Sequence, residues 1–130
     1  LVLPAVNYSN NRCFVILNKK NGYNLLFQDT VKKKSQIGMA SFYANKFNGR
    51  KTASGERFCK DSLTAAHKTL PFGTIIKVTN LATGDTVYAR VNDRIPHKKR
   101  ILDLSPAGAK KLNYYHKGTT KVKVEVIRWP

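Results

Sequence analysis

The run at 121–127, KVKVEVI, constrains the fold more than any other part of this chain, because Val122, Val124 and Val126 alternate strictly with charged residues. A period of two is the signature of a strand with one buried face. Shorter runs at 37–43, 74–79 (TIIKVT), 86–91 (TVYARV) and 100–104, with a small apolar block at 63–67, read the same way. Asn80 to Asp85 is a polar, Gly-containing connection between two of them. Ser105 followed by Pro106 has the form of an N-cap with proline at the first helical position, opening a short helix to about residue 113. The expectation is an all-β chain with six core strands and one or two short helices. A small closed barrel hides the edges that so many short strands would otherwise expose.

A chain of 130 residues can close one hydrophobic core. No run approaches the roughly 20 apolar residues of a membrane-spanning helix. Residues 1–36 differ in texture from the rest. They hold candidate strands at 13–17 and 23–27 around Asn21-Gly22, then a basic Lys32-Lys33-Lys34 linker. This reads as an N-terminal extension, with room for a two-stranded annex, ahead of a domain at 37–130. Leu1 is not an initiator Met, and residues 1–6 fit the remnant of an export signal.

Twenty-four Lys and Arg stand against seven Asp and Glu, a formal charge of +17. Such a surface attracts polyanions: nucleic acid, anionic lipid or an anionic wall polymer. No nucleic-acid-binding motif is present, which sets that partner aside. Cys13 and Cys59 form no C-x-x-C or Cys/His cluster, so no metal or other cofactor is expected. In an exported chain the two would pair as a disulfide; otherwise they are two thiols.

The scarcity of acids shortens the search for chemistry. Asp93 ends a strand, Glu56 follows the turn-prone Thr52-Ala53-Ser54-Gly55, His67 closes an apolar block, and Asp103 precedes the helix start. Cleavage of a glycosidic bond needs a carboxylic acid for the leaving oxygen and a second group to assist the attack, and these residues are of the right types. Each also has a structural alternative. Asp93 can pair with Arg90 or Arg94, His67 can be a hydrogen-bonded core histidine, Glu56 half of a surface ion pair, and Asp103 a helix cap.

Six strings in order carry a more specific message: Gly38-Met39-Ala40-Ser41-Phe42-Tyr43, Gly49-Arg50-Lys51-Thr52-Ala53-Ser54-Gly55-Glu56, Leu63 through Thr74, Val78-Thr79-Asn80-Leu81, Arg90-Val91-Asn92-Asp93-Arg94 and Ile101-Leu102-Asp103-Leu104-Ser105. Together they closely resemble the double-psi β-barrel domain of the rare lipoprotein A family. The resemblance implies a six-stranded double-psi barrel and an exported, monomeric lytic transglycosylase of the periplasm or cell envelope. Its partner would be peptidoglycan glycan stripped of stem peptides, and the basic surface adds anionic wall polymers as further expected ligands. It places Asp93 at the catalytic acid/base, with Glu56 and His67 as active-site residues and Tyr43, Ser54, Asn92 and Arg94 at substrate-binding positions. Related barrels in expansins bind or loosen polysaccharide without hydrolysis, the alternative role, and there the matching aspartate is Asp103. One departure stands out. The family continues Asp-Arg-Gly-Pro where this chain has Asp93-Arg94-Ile95-Pro96, and Ile lacks glycine's access to positive φ, so a rebuilt loop is expected.

Overall fold

The computed structural model describes residues 35–130. The alternation that marks the last strand turns Val122, Val124 and Val126 inward, where all three are buried. Five further strands complete the wall: β1 (Ser35–Phe42), β2 (Thr64–His67), β3 (Ile75–Asn80), β4 (Thr86–Asp93) and β5 (Arg100–Leu104), before β6 (Thr120–Arg128). They close into a barrel in the order β1-β5-β2-β4-β3-β6. The β1/β5 and β2/β4 pairs are parallel and the other four antiparallel. Parallel neighbours cannot be joined by a hairpin, so the chain crosses over between them, and the result is the double-psi barrel the resemblance implies. Ile76, Val78, Val91, Leu102, Leu104 and Val122 fill the interior with essentially no exposure.

Several boundaries differ from expectation. β1 opens at Ser35, two residues before the expected domain start at 37, because Ser35 and Gln36 still pair with Glu125 and Val124. β4 runs beyond the expected 86–91 run to Asp93, the residue expected to end a strand. The helix α1 (Pro106–Lys111) stops short of residue 113. There Asn113 takes a left-handed φ of 59°, and the Tyr114 N–H returns to the Ala109 carbonyl at 3.1 Å, a common way to end a helix. The extension expected over 1–36, with its candidate strands and Cys13, lies up to residue 34 outside the described residues.

Two buried polar residues fix the corners. Ser105 caps α1 by accepting the Gly108 N–H at 3.2 Å while its hydroxyl donates to the Ser62 carbonyl. This ties the helix start, and with it the end of β5, to the segment before β2. Asn80, 1% exposed, donates to the Leu112 carbonyl at 2.7 Å and accepts from the Ala82 N–H at 2.9 Å and the Thr120 hydroxyl at 3.2 Å. One side chain therefore joins the β3–β4 turn, the end of α1 and the start of β6. Replacing Asn80 by Ala strands two buried partners, the Leu112 carbonyl and the Thr120 hydroxyl, and frees the N–H of the exposed Ala82; the expected loss is about 2 kcal/mol of unfolding free energy. Urea denaturation followed by circular dichroism measures it, and a midpoint equal to wild type would show that the stitch carries no stability.

Candidate active site

The site begins with a slip in register. Along β2 and β4, Thr64 pairs with Arg90 and Ala65 with Val91, but Ala66 pairs with Asp93. Asn92 is the extra residue, a bulge in a parallel pair. Val91 faces the core, so strict alternation would also turn Asp93 inward; the bulge re-aims it. On its other side Ala66 pairs with Asp103 of β5. Paired residues share a face, so Asp93, Ala66 and Asp103 form a row across β4, β2 and β5. With neighbouring strands spaced by about 4.8 Å, the two aspartate backbones stand about 10 Å apart, separated by one methyl group.

The two carboxylates are held differently. Arg100 grips Asp103 with a two-nitrogen fork, Nε to Oδ1 at 2.9 Å and Nη2 to Oδ2 at 3.0 Å. Asp103 is therefore ion-paired and does not cap the helix; Ser105 does. Asp93 is held by neutral donors: the Tyr43 hydroxyl on Oδ2, and on Oδ1 the backbone N–H groups of Ala53 at 2.8 Å and Arg94 at 2.9 Å. The Tyr43 ring stacks on Phe58 with centroids 4.3 Å apart and meets Phe47 edge-on at 6.3 Å. Burial, and then its bond to the Asp93 carboxylate, push the Tyr43 phenol far above its ordinary value, so it stays a donor.

Glu56 belongs to the hairpin that supplies the Ala53 N–H. Lys51 bridges Arg57, the Thr52 N–H reaches the Glu56 carbonyl at 2.8 Å, and the Gly55 N–H closes a turn on the Thr52 carbonyl at 2.9 Å. Gly55 sits at φ +96°, the left-handed position that a three-residue hairpin loop requires. The tip is clamped on β4 by Ala53 on Asp93 and by the Ser54 N–H on the Asn92 carbonyl at 3.3 Å. The Glu56 side chain adds a second clamp: Asn92 Nδ2 donates to it at 2.8 Å and Arg90 Nη1 at 2.9 and 3.0 Å. The hydrogen bond from Asn92, then that from Arg90, hold its carboxyl below the usual glutamate range.

A cleft of about 470 Å³ opens over this row, within the usual size of a ligand site. Tyr43, Phe47 and Phe58 form an aromatic wall, Asp93 and Asp103 flank the Ala66 floor, and Arg50, Lys51, Arg94 and Arg100 contribute positive charge. Glu56 and His67 do not line it. Instead His67, 4% exposed, accepts the Thr69 and Leu70 N–H groups on Nδ1, both at 3.1 Å. Nδ1 is then the acceptor nitrogen, and Nε2 donates to Gln36 at 3.0 Å. This matches the core-histidine alternative, and the histidine lines a separate, smaller cavity with Gln36, Thr69 and Leu70.

The other residues assigned by resemblance divide between wall and frame. Tyr43 and Arg94 face the cleft. Arg94 also donates to the Leu70 carbonyl at 2.8 Å and lies over the Phe72 ring at 4.1 Å. Ser54 is used within its turn, paired with the Thr52 hydroxyl at 3.0 Å, and Asn92 is buried under Glu56. Ile95 lines the cleft with 4% exposure. Among the described non-glycine residues only Asn113 has positive φ, so the chain passes Ile95 without the conformation glycine would supply. Cys59 carries an exposed free thiol, and its expected partner Cys13 lies outside the described residues. Sequence reasoning missed Ala66, Arg100 and the Phe47–Phe58 wall, since nothing local marks them. Among the described residues no three His, Cys, Asp or Glu side chains are placed to hold a metal ion, and no helix is long and apolar enough to cross a membrane.

The lytic transglycolase family, matched over residues 35–124, has this barrel as its domain, and the chain belongs to that family. It is 48% identical over 101 residues to the endolytic peptidoglycan transglycosylase RlpA of Neisseria meningitidis, covering 77% of this chain and 42% of that protein. To the protein of the same name from Pseudomonas aeruginosa it is 52% identical over 92 residues, covering 70% of this chain and 27% of that one. The chain thus spans less than half the length of these relatives. Among solved structures, an expansin of Clavibacter michiganensis in complex with cellohexaose aligns with a TM-score of 0.59 at 21% identity, over 75% of this chain and 52% of that one; at that identity the likeness concerns the fold.

The Glu56 clamp has a definite pH dependence. Its folded-state value lies below that of an unfolded glutamate, about 4.3. Its contribution is therefore complete above that value and is lost as the pH falls through the folded one. A carbon-13 titration of the Glu56 carboxyl is expected to give a midpoint below about 4.3, and Asn92→Ala should move it back toward that figure. An unshifted midpoint in the wild-type protein would mean that the clamp is not formed in solution.

Proposed function

We propose that this domain is an endolytic peptidoglycan lytic transglycosylase that cuts the MurNAc–GlcNAc linkage of denuded glycan strands and leaves a 1,6-anhydro-MurNAc end. The observation that carries the reading is Asp93, turned outward by the β4 bulge into an aromatic-walled cleft and joined to no guanidinium among the described residues, in a chain of the lytic transglycolase family. Asp103 has both carboxyl oxygens engaged by Arg100, at 2.9 and 3.0 Å, and so is less available to a substrate.

The reaction needs one carboxyl group used twice. The Asp93 proton passes to the bridging oxygen as the C1–O4 bond breaks. The C6 hydroxyl of the same muramic ring then attacks C1 and returns its proton to Asp93, so no water is consumed. Tyr43 and the Ala53 and Arg94 N–H groups fix the carboxyl in place. The aromatic wall offers the apolar faces of sugar rings a surface to lie on. Glu56 acts as a positioning residue, through the hairpin that reaches Asp93, and His67 acts through the 67–70 backbone that anchors Arg94. The protein works as a monomer after export to the periplasm or cell envelope, where its substrate lies, and its net positive charge holds it to anionic wall polymers.

Asp93→Asn is nearly isosteric. Its amide oxygen can keep both backbone N–H bonds, while the group can no longer cycle a proton. The variant is expected to give wild-type circular dichroism and a loss of anhydro-muropeptide formation of at least about 1,000-fold, somewhat beyond the lower end of what general acid–base groups contribute. The assay is incubation with denuded glycan strands followed by mass spectrometry. Unchanged turnover would remove Asp93 from the mechanism. Sedimentation with sacculi and no product from the wild-type protein would favour a binding or loosening role like that of the expansins.

A further inference from the structure

The described acidic side chains can be accounted for one by one. Glu56 pairs with Arg90, Asp61 with Lys60, Asp103 with Arg100 and Glu125 with Lys123. Asp85 is held by Thr83 and Asn113, and Asp93 by Tyr43 and two backbone groups. Of the four cations lining the cleft, Arg100 is consumed by Asp103, and Arg94 is committed to the Leu70 carbonyl and the Phe72 ring. That leaves Arg50 and Lys51. Both are exposed, both line the cleft, and neither has a carboxylate within ion-pair distance among the described residues. The Arg50 guanidinium lies over the Phe47 ring at 4.9 Å, which limits its freedom and leaves its N–H edge to a ligand. Two cations lining one cleft, with no carboxylate partner among the described residues, are suited to an anion brought by the substrate.

The hairpin fixes where that anion would sit. Arg50 and Lys51 lie on the arm whose tip, Ala53, touches Asp93. At about 3.3 Å per residue in extended chain they are about 7–10 Å from the tip, a span that long side chains readily bridge. A muramic ring cut at C1 carries its lactyl ether on C3 of the same ring. When the stem peptide is absent that group ends in a free carboxylate; when the peptide is attached it ends in a neutral amide.

We propose that Arg50 and Lys51 form a carboxylate subsite for the lactyl group of the muramic ring bound at Asp93. The proposal rests on the transglycosylase reading and names the residues that set its substrate preference. Arg50 supplies a planar fork for the carboxylate and Lys51 a point charge beside it. An amidated lactyl group leaves both cations without a partner, so peptide-bearing strands lose that attraction.

The test uses denuded glycan strands and the same strands with their lactyl carboxylates converted to methylamides. Wild-type kcat/KM for anhydro-end formation is expected to fall about tenfold on the amidated strands, the scale of a charge-assisted hydrogen bond. In the double variant Arg50→Gln, Lys51→Gln, turnover of free-acid strands is expected to fall by a similar factor and the preference to vanish. As a control, Lys110→Gln, Lys111→Gln on α1, outside the cleft, should retain the preference. Equal rates of the wild-type protein on both strands overturn the proposal, as does a preference retained by the Arg50/Lys51 variant or abolished in the α1 control. Binding of the same strands to the Asp93→Asn protein, read by calorimetry, tests the subsite independently of turnover. Tighter binding of free-acid strands that is lost with Arg50 and Lys51 supports the subsite even if the wild-type protein makes no product, an outcome that would overturn only the transglycosylase reading. Equal affinity for both strands overturns the subsite.

Discussion

Between Ala65 and Ala66 the pairing of β2 with β4 skips Asn92, and this slip decides which way Asp93 points. In an unbroken ladder Asp93 would share the face of Val87, Ala89 and Val91, all buried, and a carboxylate there would face the cost of leaving water unpaired. With the extra residue it joins the row of Ala66 and Asp103. A bulge also leaves backbone groups without ladder partners. The Asn92 carbonyl finds one in the Ser54 N–H, and the Asn92 side chain finds one in Glu56. The hairpin tip is thus the complement of the bulge. Its Ala53 N–H then completes the setting of Asp93, so that one irregularity, one turn and one carboxylate behave as a single unit.

The same device recurs in the other parallel pair. β1 pairs Met39 with Arg100 and Ala40 with Leu102, skipping Ile101. Arg100 and Asp103, three apart on a strand, would point to opposite faces in regular pleating. With Ile101 as the extra residue they meet, and the fork between them forms. The two bulges therefore have opposite electrostatic consequences. One delivers an aspartate ion-paired with arginine, and the other an aspartate held, among the described residues, by neutral dipoles. The difference separates two carboxylates that the sequence presents as near equals.

Much of the barrel was legible in the residue pattern because alternation reports burial directly. The valines of β6 and the Ser105-Pro106 helix start are local signals, and both appear where the pattern puts them. Strand order and the two bulges are not local. Nothing in Arg90-Val91-Asn92-Asp93 distinguishes a bulged strand end from a regular one, so Asp93 could be named as a candidate while its direction could not. The resemblance to a family supplied three residues as a set, but the geometry sorts them. Asp93 faces the cleft, Glu56 reaches it through Asn92, and His67 sits in the core with its Nδ1 turned to the backbone.

The departure at Ile95 is best understood through that same sorting. A glycine beside the acid would give the loop access to left-handed backbone. Here the loop takes ordinary φ, and the Ile95 side chain is buried along the cleft. Its neighbour Arg94 is anchored by the Leu70 carbonyl and the Phe72 ring, with His67 setting the backbone from which Leu70 hangs. The replacement therefore exchanges conformational freedom on one side of Asp93 for apolar packing along the cleft. In the proposed reaction the Asp93 carboxyl gives and takes back a proton within one bound sugar, a task served by walls that keep their positions between the two transfers. Ile95 and the Tyr43–Phe58 stack both line the cleft by the same means, contact area rather than additional charge.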